Sequence, residues 1–272
     1  MNKAIRLRIL GSLAVAAALA LPSASAMAAP GPAPYTCGGG SVGTGTYASV
    51  TITGLCDVAP NAVINIVGNL NVAPGAFFDA QSSPSTITVG KNVTAGQNSI
   101  IGLGCQPFAL FHPDGSPVTN SGHPCSNDPA GHSVIHVMGN LAATNASLVL
   151  LNGITVDMNV ALDGSGSHDL PFGIPDDWSI KTNTVGGNLS ASGIAVDWIG
   201  FMRNTVGKNV SLSNLTSGDP GDPSPFRAVY VVSNTVGWNL SCTGLAPYAF
   251  GGFDPTEHNT VGRLATGQCV GI

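Results

Sequence analysis

Asn-Thr-Val-Gly-Gly-Asn-Leu-Ser-Ala-Ser, residues 183–192, returns as Asn-Thr-Val-Gly-Lys-Asn-Val-Ser-Leu-Ser at 204–213 and as Asn-Thr-Val-Gly-Trp-Asn-Leu-Ser-Cys-Thr at 234–243. A fourth Asn-Thr-Val-Gly stands at 259–262. Self-similarity at a short period means one supersecondary unit stacked many times. After the turn, Leu189, Val210 and Leu240 share one slot and Ala191, Leu212 and Cys242 another, with Ser190, Ser211 and Ser241 between them. A period of two marks a strand with one buried face. Val185, Val206 and Val236 hold an inward slot before the turn. The glycine that follows is read as the sharp bend, where positive φ is expected and the nearby Asn is the next best residue.

More degenerate copies lie upstream: Ile66-Val67-Gly68-Asn69-Leu70, Thr88-Val89-Gly90-Lys91-Asn92-Val93, Val137-Met138-Gly139-Asn140-Leu141, and Thr155-Val156-Asp157-Met158-Asn159-Val160 with Asp157 in the glycine slot. Successive glycine slots are then 22, 49, 18, 29, 21, 30 and 25 residues apart, so a coil of about twenty residues carries inserted loops. The expected fold is all-β, a single-domain parallel β-helix of about eight coils. At about 4.8 Å per coil its body would be roughly 35 to 40 Å long. Stacked asparagines at Asn92, Asn159, Asn188, Asn209 and Asn239 would hydrogen-bond along the rod axis. Helical bundles, Rossmann folds and sandwiches do not repeat turn residues in this way.

Lys3, Arg6 and Arg8, the apolar run Ile9 to Leu21 and the small residues Ala24-Ser25-Ala26 read as an export signal over 1–28. The expected organisation is that removed signal, an N-terminal segment at 29–47, and the β-helix at 48–272 with a disulfide-bearing insertion at about 103–132. Without the signal, six Lys and Arg face fourteen acids, a net charge of -8. Six scattered cations offer no face for phosphates, so nucleic acid is not an expected partner. No later stretch is long and apolar enough for a membrane span, so the mature chain is expected to be secreted or associated with the cell surface. Six cysteines suit an oxidising compartment and allow fifteen pairings. Sequence neighbours are the expected pairs: Cys37 with Cys56, Cys105 with Cys125, Cys242 with Cys269. The first and last would cap the two ends of an open solenoid, whose edges must be blunted.

Asn183 to Leu189, Cys242 within the last full coil and the closing Gly267-Gln268-Cys269 together resemble a family of secreted bacterial repeat proteins. The resemblance covers most of the mature chain, including Val72-Ala73-Pro74-Gly75-Ala76, and implies a right-handed parallel β-helix. The chain is also loosely similar to the polymer-forming bactofilins, which lack an export signal and disulfides. Neither resemblance carries over a functional residue.

Insertions at 163–178, 213–228 and 244–258 are expected to emerge on one side of the rod. They bring acids and aromatics, from which Asp176, Asp177, Trp178, Phe253 and Asp254 are the candidate ligand-binding residues. Rings stack on sugar faces and carboxylates accept from hydroxyls; packing of the loops onto the rod is the plainer role of the same side chains. Glycoside hydrolysis needs two carboxylates about 5 to 9.5 Å apart across one bond. Asp176 and Asp177 would point to opposite sides of an extended segment, and no spacing in the sequence places Asp157 or Asp197 opposite either. No catalytic residue, metal site or cofactor is therefore assigned. His132 and His136 share a strand face but read as surface or loop histidines, and Gly218 to Asp222 as a turn. The functional expectation is an exported, non-enzymatic structural or surface scaffold of the cell envelope or extracellular space. The alternatives are a glycan-binding module working through the loop-bearing face, and a polysaccharide lyase or glycoside hydrolase. Cell-wall or extracellular glycan, or a second copy of the chain, are the partners these readings name.

Overall fold

The computed structural model describes residues 31–166, 177–218 and 227–272. The candidate export signal and Asp176 lie outside the described residues. The described chain is a parallel β-helix with three faces. Nine short strands form the first face in chain order, from Gly45–Tyr47 and Val63–Ile66 through Thr184–Val185, Thr205–Val206 and Thr235–Val236 to Thr260–Val261. The second face stacks Leu189–Val196 on Val160–Ser165 and under Val210–Ser213 and Leu240–Thr243. The third stacks Phe77–Ala80, Ile100–Leu103, Leu148–Asn152, Asp177–Lys181, Trp198–Met202, Val229–Val232 and Ala249–Phe250.

The aliphatic slots line up as the alternation requires. Val185, Val206 and Val236 are register partners in one column and are about 1 % exposed. Leu189, Val210 and Leu240 make a second column. The nine rungs of the first face exceed the eight sequence copies because Gly45–Tyr47 pairs with Val63–Ile66. Tyr35–Val42 likewise pairs with Val50–Val58, so residues 35–47 supply the first coil instead of a separate segment. Three disulfides join Cys37 to Cys56, Cys105 to Cys125 and Cys242 to Cys269.

The repeat glycine does not have the role expected of it. Gly186, Gly207, Gly237 and Gly262 are absent from the positive-φ residues. They are needed because coils approach closely at this corner. A Cβ on Gly207 would lie 2.5 Å from the carbonyl oxygen of Gly186, and one on Gly237 would lie 2.2 Å from that of Gly207. The left-handed residues are Thr182, Arg203 and Ser233, with φ of 56°, 54° and 54°, which turn the preceding corner. Two upstream copies also shift by one position. Met138 N–H bonds to Val89 O and Gly139 N–H to Lys91 O, so Met138 stands level with Gly90. Similarly, Lys91 N–H bonds to Gly68 O, which puts Val67 in the glycine column. Register follows the buried Leu and the Asn before it, leaving Val67 and Met138 exposed.

The expected Asn ladder is present: Asn209 Nδ2 donates to Asn188 Oδ1, and Asn239 Nδ2 to Asn209 Oδ1, both at 3.0 Å. A second ladder, unread in the sequence, runs through the first residue of each repeat. Asn204 is 1 % exposed; its Nδ2 donates to Ile180 O at 2.8 Å and Asn234 Oδ1 at 3.0 Å. Its Oδ1 accepts from the N–H and Nδ2 of Asn183, each at 3.0 Å. Truncating it strands several buried partners at once, each costing about 1–3 kcal/mol. Asn204→Ala is expected to lower unfolding free energy by about 2–4 kcal/mol, and Asn209→Ala in the half-exposed ladder by about 1 kcal/mol. Chemical denaturation of the two variants checks the order.

Candidate functional site

Outward positions of the third face form the row Asp79, Gly102, Leu150, Ser179, Gly200, Tyr230, Phe250, one per coil. Gly102 and Ser179 keep the floor low on either side of Leu150, and Gly200 leaves room for a neighbouring ring. Over this floor folds the insertion between Leu103 and Val134, closed by Cys105–Cys125 and by an antiparallel bridge between Gln106 and His123. It is fixed to the rod by Arg203 Nε, which donates to Asn120 Oδ1 at 3.2 Å, and by Gln106 Nε2, which donates to Thr182 Oγ1.

Three cavities of about 330, 490 and 350 Å³ follow one another between insertion and floor. The first shares His123 and Leu150 with the second, and the second shares Thr119, Lys181 and Trp198 with the third. Together they form one groove along the rod axis, spanning roughly 29 Å at about 4.8 Å per coil.

One end of the groove is aromatic. Trp198 occupies the slot next to Gly200, and its ring lies across that glycine, where a Cβ would come within 2.3 Å of it. This lets Trp198 reach Tyr230 in the following coil, with ring centroids 5.4 Å apart. Tyr230 meets Phe250 edge to face at 5.2 Å, and Phe250 meets Phe253 at 4.9 Å. Phe253 ends the series and is 81 % exposed. From the preceding coil, Lys181 Nζ lies over the Trp198 ring, 5.5 Å from its centroid.

The middle of the groove holds three titratable groups displaced from their ordinary values. Burial, and then the charge of Asp197, raise the carboxyl of Asp177 above the usual aspartate range. Burial lowers Lys181, with the nearby Asp177 opposing it. Burial and the Lys181 charge lower His123, opposed by Asp79. A cleft that shifts several groups in this way is a functional-site candidate.

Of the residues picked from sequence, Asp177 and Phe253 face the groove, near its middle and at its aromatic end. Trp178 does not. It is 0 % exposed and donates from Nε1 to Ser147 O at 3.1 Å, inside the rod. Strand alternation explains the correction: the strand begins at Asp177, which sends Trp178 and Ile180 inward and Asp177, Ser179 and Lys181 outward. Asp254 caps a short 3₁₀ turn at Pro255–Glu257 by accepting from Thr256 N–H at 2.7 Å, an interaction that holds its carboxyl low. Trp198, Tyr230, Lys181 and Thr119 were missed as site residues. Outward aromatics before the repeat were the available signal, but Trp198 stands two positions earlier in its strand than Tyr230, and a longer connection separates Phe250 from its repeat. His136 Nε2 lies 2.8 Å from Asp157 Oδ1 on the first face, away from the groove. Among the described residues no group of three or more His, Cys, Asp or Glu side chains is placed to hold a metal ion. No described helix is long and apolar enough to cross a membrane.

Comparison of the chain with family models, with curated proteins and with solved structures finds no match.

Because the folded state raises Asp177, its contribution to stability is full below the ordinary value of 3.8 and is lost as pH rises through the folded value. Asp177→Asn is therefore expected to raise the melting temperature at pH 7 by about 1–3 °C, discounted for its partial exposure. The gain should vanish below pH 3.8, where aspartic acid is neutral in both states. Melting curves of both proteins across pH check the sign.

Proposed function

We propose that this protein is an exported β-helical scaffold whose third-face groove binds a polysaccharide strand along the rod axis. The observation that carries this reading is the shape and lining of the groove: extended, low on either side of Leu150, and ending in an aromatic series with an uncovered Phe253. A linear polymer matches an axial groove. Sugar rings present apolar C–H faces to aromatic side chains and hydroxyls to groups such as Ser179, Thr119 and Asp177. Three buried disulfides support placement in an oxidising compartment outside the cytoplasm.

The test is affinity electrophoresis, followed by calorimetry, against a panel of soluble polysaccharides. Wild type should bind at least one. Phe253→Ala combined with Trp198→Ala should weaken that binding by about tenfold or more, with far-UV circular dichroism unchanged. Failure to bind any polymer, or unchanged affinity in the double variant, would defeat the proposal.

A second reading, hydrolysis of the bound polymer, is favoured by one feature. Asp177 is raised beside the charge of Asp197, as in two-carboxylate sites where one acid holds its proton. Release of reducing ends that Asp177→Asn abolishes would establish it. Intact polymer after prolonged incubation with wild type would leave binding alone.

A further inference from the structure

Lys181 combines three properties that ordinarily exclude one another. Burial lowers its affinity for a proton, it lines two of the three cavities at their junction, and among the described residues no carboxylate lies within ion-pair distance of it. Among the described residues no hydrogen bond uses its three N–H donors, and its Nζ lies over the Trp198 ring. A half-desolvated ammonium without an acceptor is destabilising. Two further donor-bearing side chains stand on the opposite wall: Thr119, which lines both cavities, and His123, which lines the middle one. That wall is held in place by paired backbone bonds, Gln106 N–H to His123 O at 2.7 Å and His123 N–H to Gln106 O at 3.0 Å, and by the neighbouring Cys105–Cys125 bridge.

We infer that Lys181, with Thr119 and His123 facing it, forms a subsite for an anionic substituent on the bound polymer, specifically the carboxylate of a uronic acid residue. This inference rests on the glycan reading and narrows it to a substrate class. A singly charged, planar carboxylate accepts from several donors at once. It also suits a site where Asp177 stands on the same strand, since a dianion would meet stronger repulsion there. In a chain with a formal net charge of -5, Lys181 is, among the described residues, the one Lys or Arg that lines these three cavities.

The experiment uses a polyuronate and the same polymer after chemical reduction of its carboxyl groups, at low ionic strength. Wild type should prefer the polyuronate by about tenfold or more, the gain of one charge-assisted hydrogen bond. Lys181→Gln should abolish that preference while keeping its affinity for the reduced polymer, and Lys181→Arg should retain the preference. Lys181→Gln should also melt no lower than wild type, a readout that a lysine serving the fold would not give. Equal affinity of wild type for the two polymers, or a preference surviving in Lys181→Gln, overturns the subsite but leaves the groove as a neutral-glycan site. Preference for a sulfated neutral polymer over the polyuronate overturns the assignment to carboxylate. Binding to none of these polymers, nor to any other polysaccharide, removes the glycan reading and the subsite together.

Discussion

Side-chain amides bind each coil to the next in register, and the rest of the structure depends on that register. A parallel ladder of backbone bonds alone tolerates slippage, because every rung is chemically alike. The Asn183, Asn204, Asn234 and Asn259 series removes the ambiguity. The amides of Asn183, Asn204 and Asn234 each donate to the oxygen of the next asparagine and to a third-face carbonyl of the coil before, and Asn259 ends the series by donating to Val231 O and Ile272 O. A slip of one residue would bury these amides without partners, at a cost of several kcal/mol over the stack. The second series, Asn159, Asn188, Asn209 and Asn239, fixes register at the other end of the first-face strands, each amide donating to the preceding asparagine. Apolar columns supply the stabilisation, and the polar ladders decide which residues share a column.

Register also builds the groove. Because coils stack without offset, any outward residue of the third face has a neighbour one coil away in the same direction. A row of small residues then becomes a floor, and a run of aromatics becomes a wall. Trp198 belongs to the slot beside Tyr230 and reaches it only because Gly200 has no side chain. The insertion after Leu103 closes the other wall. It brings His123 and Thr119 opposite Asp177 and Lys181, residues far from them in sequence.

The repeat was legible because its signals are local. Alternation over 189–192, 210–213 and 240–243 identifies strands, and recurrence of Asn-Thr-Val-Gly identifies stacking. Pairing of sequence neighbours holds for two different reasons: Cys37–Cys56 and Cys242–Cys269 join adjacent coils, and Cys105–Cys125 closes a single insertion. The glycine misled because two physical demands select the same residue: positive φ and close backbone approach. Here only the second applies, and only geometry separates them. Trp178 was misread because the insertion was taken to run through 178, whereas the strand already begins at Asp177 and its alternation turns Trp178 inward. The aromatic series was hidden for a related reason. Trp198, Tyr230 and Phe250 precede their repeat threonines by seven, five and ten residues, so no fixed period links them. The cleft around Lys181 depends on where a long insertion folds back, which its own sequence does not specify.

The crowded glycine corner makes the molecule asymmetric in what it will accept. Where the carbonyl of one coil almost touches the backbone of the next, there is no room for an added residue or a swollen turn. The corners beyond the second and third faces already carry excursions of many lengths. A foreign peptide grafted there would be displayed at a known height along the rod, as on a ruler graduated in coils, while the same graft at Gly207 would split the spiral.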